Sequence, residues 1–206
     1  MQERSSCRIV QADVDIKRWM TVLPTVEHLR PARCPCCDAA GRPVDGPLVM
    51  RGHGLRERQV YGPRAAGGAP QQVTVQARRY RCSACRAVLL VVPRGLLPRR
   101  RYAAAAIGWV LARIGLDGAT TPAVRTEVCC STILGVAAAE RWLAPSRWIE
   151  ASRRGQLFPR LGRHGAQSPR AQVAERTAMQ LVALSPRGRA GDRAAHLAFR
   201  GAALAA

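Results

Sequence analysis

The run Arg78-Arg79-Tyr80-Arg81-Cys82-Ser83-Ala84-Cys85-Arg86-Ala87-Val88-Leu89-Leu90-Val91-Val92-Pro93 decides the fold. Residues 87–92 are continuous, apolar and rich in valine and leucine, the pattern of a central strand buried on both faces, and Pro93 marks its expected end. Immediately before it stands Cys82-x-x-Cys85, and upstream stands a second pair within Cys34-Pro35-Cys36-Cys37. A C-x2-C spacing lets two thiolates converge on one ion from a tight turn. Two such turns supply the tetrahedral four-sulfur set of structural zinc. Cys34, Cys37, Cys82 and Cys85 are the expected ligands. Cys36 is open as a substitute for Cys34 or Cys37, or as a spare thiol beside the metal, with spacing favouring Cys34 and Cys37. Disulfides are disfavoured for a cytoplasmic chain, and a thioredoxin-type redox site needs one such pair in a βαβ setting.

Between the cysteine pairs the sequence reads as two strands, 48–61 and 72–82. Gly62-Pro63 and Gly67-Gly68-Ala69-Pro70 mark a long hairpin tip between them. A knuckle before a β-hairpin and a knuckle entering the last strand is the layout of a zinc ribbon, here residues 31–95. His53, in Arg51-Gly52-His53-Gly54, reads as a surface residue of the first strand. Cys129 and Cys130 are adjacent, so on a helix they point about 100° apart and do not easily share an ion. They read as small apolar positions at a helix junction, and Cys7 is given no role.

Past Pro98 and Arg99-Arg100-Arg101 the period of apolar residues changes from two to 3.6. Ile107, Leu111 and Ile114 lie on one face of a helix ending at Gly115-Leu116-Asp117-Gly118. Thr121-Pro122 opens a short helix to about Val128, Ser131 caps another to about Leu143, and Ser146 caps a fourth after a turn at Ala144-Pro145. Together residues 99–158 form a helix-turn-helix-like region. Residues 1–30 read as an N-terminal extension. Residues 160–206 read as a loose basic tail, with Ala171–Leu184 open as a helix and Pro169, Pro186, Gly188 and Gly191 as the breakers that keep it loose. The expected fold class is therefore α+β, a small β zinc ribbon followed by helices.

The 206 residues carry 33 Lys+Arg against 13 Asp+Glu, a formal net charge of +20, and Lys17 is the single lysine. Such an excess repels itself unless a polyanion neutralises it, and nucleic acid is the usual one. A GC-rich coding bias explains arginine over lysine but not basic over acidic. The uncharged run 128–139 is 12 residues, far short of the ~20 a bilayer-spanning helix needs. Charged residues near the N-terminus leave no apolar run for a signal peptide, and the expected location is the cytoplasm. The acidic residues are scattered and no nucleophile triad or phosphate-cradling glycine loop is visible, so the expectation is a protein that is not an enzyme.

The succession Cys34-Pro35-Cys36-Cys37, Arg51-Gly52-His53-Gly54-x-Arg56-x-Arg58 and Arg78-Arg79-Tyr80-Arg81-Cys82-x-x-Cys85, followed by the apolar strand, resembles the N-terminal zinc ribbons of bacterial insertion-sequence transposases. It looks closest to short transposase-like zinc-ribbon proteins of GC-rich bacteria. The resemblance covers roughly residues 18–160, including the Ser146-Arg147-Trp148 and Gly155-Gln156-Leu157-Phe158-Pro159 patches. It departs at Asp38, where such knuckles usually have glycine, and it shows no domain with three metal-binding carboxylates. It implies DNA binding linked to mobile elements, as an accessory or remnant of a transposase. The alternatives are a small transcriptional regulator or an RNA-binding ribbon, and less so an active transposase or nuclease. Duplex DNA is the expected partner and Zn²⁺ the expected cofactor, with a transposase or a second copy of the chain as further partners and no membrane. The candidate nucleic-acid contacts are Arg51, Arg56, Arg58, Arg78, Arg79 and Arg81 on the hairpin, and Arg147, Arg153 and Arg154 on the last helix.

Overall fold

The computed structural model describes residues 8–131, 142–186, 188 and 191–206. Its elements are β1 (Arg8–Asp15), α1 (Ile16–Thr21), β2 (Met50–Pro63), β3 (Pro70–Cys82), β4 (Val88–Arg94), α2 (Ala104–Gly115), α3 (Thr121–Val128), α4 (Ala144–Arg153), α5 (Arg170–Leu184) and α6 (Ala194–Ala205). The fold is mixed α+β, and the chain divides into two compact units. One comprises Met1–Arg58 with Thr74–Arg94, the other Gln59–Val73 with Gly95–Ala206.

The first unit is organised by β4. The sheet order is β1-β4-β3-β2, so the apolar run 88–92 has a neighbour on each side. It pairs antiparallel to β3 from Arg81↔Val88 to Arg78↔Val91 and parallel to β1 from Arg8↔Leu89 to Gln11↔Val92. Leu89, Leu90, Val91 and Val92 are all buried, as a doubly covered strand requires. Pro93 does not end the strand as expected. The β1 register slips between Gln11↔Val92 and Asp15↔Arg94, and pairing with β3 stops at Val91, so the N–H that proline lacks has no ladder bond to make there.

Of the stretch expected as an N-terminal extension, residues 8–30 are described, and they form part of the first unit. β1 is a full member of the sheet, and Asp15 caps α1 by accepting from the N–H groups of Lys17 and Arg18 at 2.9 and 3.1 Å. Trp19, buried on α1, donates its Nε1–H to the Gln76 carbonyl at 2.9 Å. The following segment is stitched onto β3, where Tyr80 Oη donates to the Val26 carbonyl at 2.7 Å and Arg78 Nε to the Pro24 carbonyl at 2.5 Å.

In the second unit α2 is buried almost all round, with Ile107 and Leu111 in the core and Ile114 half-buried. It packs against α5, which matches the helix left open over 171–184, and against α6, both from the stretch expected to be loose overall. That expectation fails because alanine and glycine here are contact residues. A Cβ on Gly108 would lie 2.5 Å from the Ala202 Cβ, and one on Gly201 would lie 1.8 Å from the Leu181 carbonyl oxygen. Helices this close need small side chains rather than large ones. The outer end of the hairpin belongs to this unit, where the Tyr61 N–H donates to the Arg101 carbonyl at 2.8 Å and the Tyr61 carbonyl accepts from the Ala103 N–H at 3.0 Å.

α3 begins at Thr121 with Pro122 in its first turn, close to the expected start. α4 begins at Ala144, so Ala144 and Pro145 are its first turn rather than a preceding turn, and Ser146 is inside the helix instead of capping it. Proline is accepted there because a first-turn N–H has no intrahelical partner to lose. The helix expected over 131–143 lies almost wholly outside the described residues, as does Cys7. Replacing Gly201 by valine forces α6 away from α5. It is expected to destabilise the second unit by about 1–3 kcal/mol or more, read as a fall in Tm of several degrees by calorimetry. A Gly191→Ala control, at a glycine with no atom within 4 Å of its Cβ position, should show only the smaller strain of its positive φ.

Candidate metal centre

Each cysteine pair sits in the same local turn. The Cys34 N–H donates to the Ala39 carbonyl at 2.9 Å, and the Cys82 N–H donates to the Ala87 carbonyl at 2.9 Å, both five residues on. The residue after the second cysteine is left-handed in each, with φ of 59° at Asp38 and 61° at Arg86. Glycine fits that conformation best. At Asp38 the side chain compensates, accepting from Arg33 Nε and Nη2 at 2.7 Å each in a bidentate pair. The same contact lowers the Asp38 carboxyl pKa and raises that of Arg33.

The two turns bring four sulfurs together. Cys34 Sγ lies 3.7 Å from Cys85 Sγ, Cys37 Sγ lies 3.8 Å from Cys82 Sγ, and all four are within 4.8 Å of one another. A tetrahedron with metal–sulfur bonds of about 2.3 Å has edges of about 3.8 Å. The donor set therefore fits a tetrahedral thiolate site, and Cys34, Cys37, Cys82 and Cys85 can hold a metal ion. Cys34 and Cys82 are buried while Cys37 and Cys85 are exposed, so one side of the cluster is open to solvent. Burial opposes ionisation of Cys34, but the backbone N–H groups of Cys36 and Cys37, joined by hydrogen bonds from the Cys37 and Cys85 thiols, outweigh it and bring the thiol to about 7. Cys36 is exposed and is not one of the converging sulfurs.

The other cysteines lie elsewhere. Cys129 follows α3, half-buried; burial raises its pKa, but hydrogen bonds from Tyr102, Ser131 and Arg125 prevail and lower it. Cys130 is exposed. His53 is exposed on β2, as expected.

The candidate arginines sort by what their heads already touch. Gln76 Nε2 donates to Glu57 Oε1 at 2.9 Å, which puts those two side chains on one face of the hairpin. By alternation Arg56 and Arg58 take the opposite face, together with Arg79 and Arg81. Arg56 and Arg81 are exposed and Arg79 is half-buried. Arg58 is half-buried too, and burial followed by repulsion from Arg56 lowers its pKa. Arg78 leaves this group because it lies on the other face and binds the Pro24 carbonyl. Arg153 leaves it as well, its Nη1 on Glu150 and its Nη2 on the Ser168 carbonyl, both at 2.7 Å. Arg154 shares Glu150 through Nε at 2.8 Å yet keeps 62% of its side-chain surface exposed. Arg147 is exposed on α4. Arg86 was missed by sequence reasoning, and the signal was its place after Cys85 in a second copy of the Asp38 turn.

One metal ion per chain is the expected stoichiometry by elemental analysis. Cys36→Ser should keep it, and Cys37→Ser should lose it. Equal metal content in both variants would show that the geometry has misassigned the fourth ligand.

Compared with known proteins, residues 34–133 match a family model described as a domain of unknown function, DUF6431. The match begins at the first metal-cluster cysteine and runs through the hairpin, α2 and α3. No curated protein and no solved structure matches the chain.

Proposed function

We propose that the chain is a zinc-dependent duplex-DNA-binding protein associated with a mobile element, an accessory or remnant of a transposase without the catalytic step. The observation that carries the reading is the placement of Arg56, Arg58, Arg79 and Arg81 on one face of a hairpin whose base is tied by four converging sulfurs. A set of four cysteines at these separations suits Zn²⁺ above other common ions, because closed thiolate tetrahedra are its usual structural site. Bound there, the ion would crosslink the two knuckles and so set the distance between the arginines that flank them. Phosphates are the natural ligand for planar guanidinium groups in a row, and the chain's net charge of +20 supplies long-range attraction.

The acidic residues support a binding role. Glu27 is held by Arg30 and Arg42, Glu127 and Asp117 by Arg113, and Asp192 by Arg200. Carboxylates engaged in this way are not gathered around a two-metal site. No described helix is long and apolar enough to cross a membrane. In this reading α4 would serve as the base-reading helix, with Arg147 one turn in from its start and Trp148 and Ile149 anchoring it in the core.

Binding to mixed-sequence duplex DNA should weaken steeply with salt, each neutralised phosphate contributing about one unit of log–log slope. Fluorescence anisotropy across salt concentrations measures it, and a chelator should abolish the tightest binding. Arg56→Ala should weaken all sequences alike, whereas Arg147→Ala should reduce only the preference for a selected site. Affinity insensitive to salt would defeat the proposal.

A further inference from the structure

Beside the second knuckle the surface forms a concavity of about 450 Å³ whose walls include Arg51, His53, Arg81, Ser83 and Arg86. None of the residues lining it is acidic. Arg51 and His53 come from β2, Arg81 from the end of β3, and Arg86 from the turn that follows Cys85. The pieces are held in register by backbone bonds. The Ser83 N–H donates to the Val49 carbonyl at 2.9 Å, joining the knuckle to the residue just before β2, and the Cys82 N–H closes the turn on Ala87.

We infer that this concavity is a phosphodiester-binding pocket in which Arg86 and Arg81 grip one backbone phosphate from the knuckle side while Arg51 and His53 contact it from β2. The inference rests on the nucleic-acid reading above and adds to it a specific site with three residues, Arg51, His53 and Arg86, that the basic face does not include. The contrast between the two knuckles carries it. Asp38 and Arg86 occupy the same left-handed position, which favours glycine. Asp38 is accounted for locally by its bidentate pair with Arg33. Among the described residues no hydrogen bond or ion pair engages the Arg86 guanidinium, nor that of Arg81, and Arg51 spends only its Nε, on the Leu48 carbonyl at 3.2 Å. Three guanidinium groups with donors to spare, converging on one hollow without a carboxylate, repel one another until an anion enters. A phosphodiester carries the same single charge as a carboxylate, but its oxygens surround a tetrahedral centre and so present acceptors in more directions to guanidinium groups coming from different walls. Arg81 belongs both to this pocket and to the basic hairpin face.

The left-handed backbone makes a clean test available. Arg86→Gly removes the guanidinium while giving the turn the residue its φ of 61° favours, so the knuckle stays intact. Metal-loaded protein is titrated with mixed-sequence duplex DNA over a range of salt concentrations, with metal content measured for every variant. Arg86→Gly is expected to lower affinity several-fold and to reduce the log–log salt slope by about one. Arg51→Ala, outside the knuckle, should do the same. Arg170→Ala removes one charge from the exposed first residue of α5 and should leave both quantities near wild type. If the wild type binds with a steep salt slope but Arg86→Gly and Arg51→Ala behave like Arg170→Ala, the pocket is overturned and the DNA-binding reading stands. If the wild type binds no duplex at low salt, that reading is overturned and the pocket falls with it.

Discussion

Cys34 and Cys85 are separated by 51 positions in the chain, yet their sulfurs lie 3.7 Å apart. That convergence is the constraint on which the first unit depends. It closes the loop that contains most of β2 and β3, and it fixes where β3 stops and β4 begins, since Cys82 ends one strand and Val88 opens the next. Closing a loop of this length is entropically unfavourable, and two short turns make few apolar contacts with which to offset it. Four thiolates within 4.8 Å would also repel one another. A dication reverses the sign of that interaction, which is why the zinc in the proposed reading is a folding element as much as a cofactor.

The closure has a consequence for the arginines. Arg81 precedes a cluster cysteine and Arg86 follows one, so their positions are set by the same turns that aim the sulfurs. Arg51 is one residue into β2, tied to that knuckle by the Ser83–Val49 bond. An element that forms only when two distant turns meet therefore also brings Arg51, Arg81 and Arg86 to one concavity. On this view metal occupancy and anion affinity are linked, because whatever loosens the knuckles separates the guanidinium groups.

What the sequence made legible was whatever is encoded by short spacing or by a strong apolar run. The two C-x2-C pairs, the hairpin between them, the buried strand 88–92 and the face of Ile107 and Leu111 all belong to this kind. What stayed hidden depends on partners far along the chain. β1 is a short strand whose parallel partner lies about eighty positions away, and nothing within Arg8–Asp15 names Val88–Arg94 as its mate. By their usual meaning Pro93 and Pro145 are breakers, but each falls where no backbone N–H is required. Residues 160–206 read as a tail because alanine and glycine contribute little hydrophobicity. At Gly108 and Gly201 smallness is itself the packing determinant, and only the proximity of the other helix reveals it.

Two explanations other than binding could account for a basic hairpin face, and the placement of the charges bears on both. A GC-rich coding bias scatters arginine without regard to acids. Here several acids are matched to particular arginines, Glu150 to Arg153 and Arg154, Asp13 to Arg94, Glu127 to Arg113, while none of the ion pairs among the described residues involves Arg51, Arg56, Arg79, Arg81 or Arg147. Protection of an exposed sheet edge is the second explanation, since edge strands commonly carry charge to prevent pairing with other chains. It suits β2, which is the edge, and Gly54 with its φ of 84° interrupts that edge further. It does not suit Arg79 and Arg81, because β3 lies between β4 and β2 and has no free edge to guard. Charge on an interior strand, on the same face as Arg56 and Arg58 and without an acidic partner, raises the energy of the isolated fold. Zinc held by four thiolates would carry a net double negative charge and offset part of that penalty near Arg81, and an anion outside the chain would remove the rest along the face.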